Sequence, residues 1–110
     1  MKTKSAARRD VRYPQLQDLS VIYEGFTEDI AIRPPDLSPH GMFINTMKVY
    51  PEGAVLKVSF RLSRTKVLVE ARCEVRYCLK GVGIGVEFIN VSPESTTAIE
   101  EELSILAASI

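Results

Sequence analysis

A chain of 110 residues, 45% apolar and 25% charged, is sized for one globular domain with a single core and excludes a two-domain enzyme. Lys plus Arg and Asp plus Glu number 14 each, so no global field draws it to nucleic acid or membrane. Two cysteines are too few for a disulfide scaffold, and no apolar run reaches the ~20 residues that cross a bilayer. The N-terminus has basic residues with no apolar segment behind them, so no secretory signal is read and the expected compartment is cytoplasmic.

Residues 1–14 form the first unit. Lys2, Lys4, Arg8, Arg9 and Arg12 face only Asp10, and Pro14 closes the stretch, which reads as a flexible basic arm. Residues 15–92 carry strand patterns. Weaker ones are expected at 19–24, 29–33 and 42–47. Residues 56–62 alternate strictly, as a half-buried strand does. In the next run Val67, Val69, Ala71, Cys73, Val75 and Tyr77 share one face, and Glu70, Arg72, Glu74 and Arg76 the other. Then Val82, Ile84, Val86 and Phe88 alternate with Gly83, Gly85 and Glu87. Turn residues separate the strands at Glu24-Gly25, Pro34-Pro35, Pro51-Glu52-Gly53, Ser63-Arg64 and Lys80-Gly81. About six short strands with one apolar face each bury it most economically in an antiparallel barrel.

The period then changes. Ser92, Pro93 and Glu94 suit an N-cap, a first-turn proline and a carboxylate at the positive end of a helix dipole. Ile99, Leu103, Leu106 and Ile110 make one helical stripe, so 93–110 is expected to be a helix of about four turns. Its stripe either packs on the barrel or forms a dimer seam, which leaves monomer and homodimer both open.

Two short patterns could carry chemistry. Arg8 and Arg12 give R-x-x-x-R, two planar forks that could reach anchor points up to about 14 Å apart on an extended arm. Such forks pair bidentately with guanine O6 and N7 or with phosphate. Asp36, Ser38 and Gly41 give D-x-S-x-x-G. Asp36 could accept from a guanine N–H, Ser38 could donate to a phosphate oxygen, and Gly41 permits positive φ and close approach of a ligand. Taken alone, the first pattern reads more readily as a solvated tail, and the second as a turn. Other candidates are weaker. Gly83-x-Gly85 lacks the third glycine and the Lys-Ser/Thr of a phosphate loop and reads as relief of crowding in a bent strand. Cys73 reads as core; Cys78 has no companions for a metal, and none is expected. A single His, His40, with no Cys or Ser beside it gives no nucleophile–base pair, so no enzyme is expected.

In that order, and followed by Gly83-Ile84-Gly85-Val86-Glu87-Phe88, these motifs resemble the PilZ domain, the bacterial receptor module for cyclic di-GMP. The resemblance runs from about residue 8 to residue 103. It implies a mainly β protein, a six-stranded antiparallel β-barrel of the PilZ-like, split-barrel type with a C-terminal α-helix. It implies cyclic di-GMP as ligand, with no further cofactor, and Arg8, Arg9, Arg12, Asp36, Ser38 and Gly41 as its contacts. Pro34-Pro35, ahead of Asp36, and His40, ahead of Gly41, depart from the usual family pattern. The expected function is that of a non-catalytic receptor whose arm orders over the barrel on binding and which signals through an unidentified protein partner. Outputs in the family include motility, polysaccharide export and type IV pili. The alternative is a PilZ-like adaptor with no nucleotide, working through protein contacts alone. Nucleic-acid binding ranks below both, because exposed aromatics in a basic groove are not evident, and no membrane insertion is expected.

Overall fold

Apolar residues at alternate positions give each strand one oily face, and the chain folds so that these faces meet. A computed structural model describes residues 16–30 and 37–108, with side chains through residue 105. The arm at 1–14 and the Pro34-Pro35 segment lie outside the described residues. Seven strands form: β1 (Leu16–Tyr23), β2 (Phe26–Asp29), β3 (Leu37–Ser38), β4 (Gly41–Asn45), β5 (Val55–Leu62), β6 (Leu68–Leu79) and β7 (Gly83–Val91), followed by helix α1 (Pro93–Ala108). They make one antiparallel sheet in the order β2-β1-β5-β6-β7-β4-β3.

The architecture is the expected mainly β, barrel-like one with a C-terminal helix, but the strand count is seven rather than six. The strand expected at 29–33 falls mostly outside the described residues; the strand found is Phe26–Asp29, because Glu24 and Gly25 (φ 51° and 83°) make a two-residue turn that pairs Tyr23 with Phe26. Positive φ at both turn residues matches the strand twist. The two-residue β3 adds the seventh.

Among the described residues no backbone ladder joins the two ends of the sheet, β2 and β3. Side chains tie β2 to the loop after β4 instead. The Thr46 and Tyr50 hydroxyls, just past β4, each donate a 2.7 Å hydrogen bond to one carboxylate oxygen of Glu28 on β2. Tyr50 is buried and meets the Tyr23 ring edge-on at 5.5 Å. Inside lie Val58, Phe60 and Leu62 of β5, Val69 and Cys73 of β6, Ile44 and Ile84, all with no exposed surface.

The helix begins as its sequence requires. Ser92 Oγ accepts from the Ser95 N–H (3.1 Å), and the Thr96 N–H donates to the Ser92 carbonyl (3.0 Å). Ala98 and Ile99 are buried in the core and Leu103 packs against it; the side chains of Leu106 and Ile110 lie outside the description. On the same helix Glu102 is fully buried. Its carboxylate accepts from the backbone N–H groups of Arg64 (3.0 and 3.2 Å) and Thr65 (3.1 Å) in the β5–β6 loop.

Candidate functional site

From Ser38 to Gly41 the D-x-S-x-x-G pattern falls on a two-residue connection of the sheet. Leu37 pairs with Met42 and Ser38 with Gly41, so Pro39 and His40 alone turn the chain from β3 to β4. Proline supplies a preset φ for the first corner. The Ser38 hydroxyl holds the turn closed: Oγ accepts from the N–H groups of His40 and Gly41, each at 3.2 Å, and lies 3.3 Å from the Gly41 carbonyl, to which it donates. The His40 carbonyl accepts from the Phe88 N–H at 2.8 Å, tying the turn to β7.

Gly41 is needed for a reason other than positive φ. It stands opposite Glu87 on β7, and a Cβ there would run into the Val86 carbonyl oxygen. Its bareness lets two strands approach. Gly83 and Gly85 play a parallel part on the outer face, where the Phe43 ring lies over Gly83 and the Tyr77 ring over Gly85. The two rings stack on each other at 6.3 Å and 29°.

These residues share the outside of the sheet. One row across the strands reads Ser38, Gly41, Glu87, Glu74; the next reads Phe43, Gly85, Tyr77. Arg76 adds a cation, its guanidinium 3.1 Å from Glu87 and 3.9 Å from Glu74. Ser38 and His40 are exposed, and Tyr77 is 45% exposed. The surface therefore offers a polar turn, a paired arginine and an aromatic shelf side by side.

Of the six expected contacts, Ser38 and Gly41 are brought together; Arg8, Arg9, Arg12 and Asp36 lie outside the described residues. Phe43, Arg76 and Tyr77 were not foreseen. Tyr77 was expected to share the inward face of its strand, but the pairing shifts between Val75 and Tyr77, so an extra residue turns Tyr77 outward and Cys78 toward the core. Cys73 is buried as expected, and burial pushes its thiol up to about 12. Among the described residues no three His, Cys, Asp or Glu gather into a metal site. An open groove of about 460 Å³ lies elsewhere, between α1 and Val67, lined by Pro93, Glu94, Thr97, Ala98 and Glu101.

No curated protein and no solved structure matches the chain. The family model of the PilZ domain matches residues 7–104, a span that takes in both motifs, every described strand and most of α1. The chain belongs to the PilZ domain family.

Proposed function

We propose that this protein is a non-catalytic cyclic di-GMP receptor that signals through a protein partner. The observation that carries the reading is the family match over residues 7–104, which takes in R-x-x-x-R and D-x-S-x-x-G in their family order. The described part of the second motif supports it, since Ser38 is exposed near two stacked rings, with Gly41 paired to it. In this reading Arg8 and Arg12, with Arg9 assisting, fork onto guanine edges and phosphates, and Asp36 accepts from a guanine N–H. The Ser38 hydroxyl turns its proton from the Gly41 carbonyl to a phosphate oxygen. Tyr77 and Phe43 offer a flat apolar surface to a purine. The arm, loose without ligand, orders over the barrel when the nucleotide bridges it to the β3–β4 hairpin, and the changed surface is what a partner reads.

A thermal-shift titration against cyclic di-GMP, with cyclic di-AMP and GTP alongside, tests this. Stabilisation by cyclic di-GMP alone is expected. No shift with any of the three would favour the adaptor reading, to which one observation already leans: the Ser38 hydroxyl is fully engaged inside its own turn.

A further inference from the structure

Cyclic di-GMP carries two guanines, and a single carboxylate such as Asp36 can accept from the N–H edge of only one of them. The outer face of the sheet holds a second carboxylate placed to serve the other. Glu87 on β7 stands directly opposite Gly41, so no side chain on β4 separates it from the Ser38 turn. Two residues back along β7, on the same face, Gly85 lies under the Tyr77 ring, about 7 Å away. Glu87 thus borders both the polar turn and the aromatic shelf.

Its carboxylate is aimed and accessible. Arg76 Nη1 lies 3.1 Å from Glu87 Oε1, and the two side chains are 56% and 51% exposed. The same nitrogen is 3.9 Å from Glu74 Oε1. Among the described residues nothing pairs with Glu87 Oε2, and Oε1 keeps a second lone pair beside its bond to Arg76.

A base laid on the Tyr77 and Phe43 rings lies along the sheet, and its edge meets the side chain standing at the margin of the shelf. At the β7 margin that side chain is Glu87. The local charges select the edge. Glu74, Glu87 and Arg76 sum to one negative charge, which attracts the N–H edge of a base and repels phosphate. The phosphates then lie toward Ser38, two strand spacings or about 10 Å away. Guanine presents N1–H and its 2-amino group side by side, a match for the two oxygens of a carboxylate. Adenine has a bare acceptor, N1, in that place.

We propose that Glu87 is a specificity-determining residue of the nucleotide site. Its carboxylate accepts from N1–H and the 2-amino group of one guanine of cyclic di-GMP while that base stacks on Tyr77 and Phe43. This role rests on the receptor reading above and adds to it a carboxylate outside R-x-x-x-R and D-x-S-x-x-G.

Calorimetric titration with cyclic di-GMP, cyclic di-AMP and cyclic di-IMP, the inosine analogue without the 2-amino groups, tests it. Glu87→Gln sets an amide donor against the guanine donors and should lower cyclic di-GMP affinity about tenfold or more. The preference for cyclic di-GMP over cyclic di-IMP should narrow by about tenfold as well, a change that a purely structural role would not produce. An exposed ion pair adds little stability, so the melting temperature of the variant should match the parent's. Parent-like affinity and preference in the variant would overturn the assignment and leave the receptor reading standing. So would a weaker affinity with the preference unchanged, or a parent that binds cyclic di-AMP or cyclic di-IMP as tightly as cyclic di-GMP. A parent that binds none of the three would overturn both.

Discussion

Ser38 and Gly41 occupy neighbouring positions of one hairpin but are constrained differently. Ser38 is exposed and its hydroxyl closes the turn, whereas Gly41 is buried against the β7 backbone. Gly41→Ala should therefore cost about 1–3 kcal/mol, because a strand backbone must move to admit the methyl group. Chemical denaturation would show a lower midpoint with an unchanged slope. Arg12→Ala should do the reverse. A bidentate guanine contact is worth about 1–3 kcal/mol, so cyclic di-GMP affinity should fall roughly ten- to a hundredfold by calorimetric titration while the ligand-free melting temperature stays put. Equal affinity in the variant would remove Arg12 from the site. The motif itself was legible as spacing. What glycine does there was not, since the same residue serves a left-handed turn and a close strand crossing, and only the neighbouring strand distinguishes them.

At the scale of elements, the strict alternations became β5, β6 and β7, and the Ser92-Pro93-Glu94 signature became the start of α1. Local rules reach that far. They do not reach the shifts of pairing between Arg72 and Cys73 and between Val75 and Tyr77, because one extra residue in a strand reverses every later side chain without leaving a mark in the composition. That is why Tyr77 was assigned to the wrong face. Glu102 escaped for another reason. Within an acidic helical stretch it looks like a solvated charge, and its burial depends on amide groups almost forty positions earlier in the chain. Glu102→Ala should strand those amides and destabilise the fold by about 1–3 kcal/mol. Ser92→Ala should cost about 1 kcal/mol through the lost cap. Thermal melts of the two variants and the parent would rank them in that order.

Across the whole molecule, the sheet relies on side chains where its ladder stops. The Glu28–Thr46–Tyr50 cluster joins β2 to the loop after β4, and burial together with the Glu28 carboxylate raises the Tyr50 phenol above its ordinary range. Cys73, deep in the core, is raised from 9.0 to about 12 by burial. Both groups hold their protons more tightly folded than unfolded. The unfolded chain then releases protons first as pH rises, so stability is full below about pH 9 and declines above it, toward pH 12 for the thiol. Denaturant midpoints measured across that range should fall, and Cys73→Ala should flatten the early part of the decline. The grip of Glu102 on the Arg64 and Thr65 amides has a consequence of its own. Those two protons are sheltered by a carboxylate from the far end of the chain, so their exchange with heavy water becomes a clock for departure of the terminal helix. In the Glu102→Ala chain both should exchange early, while amides in the middle of β5 and β6 keep their slow rates.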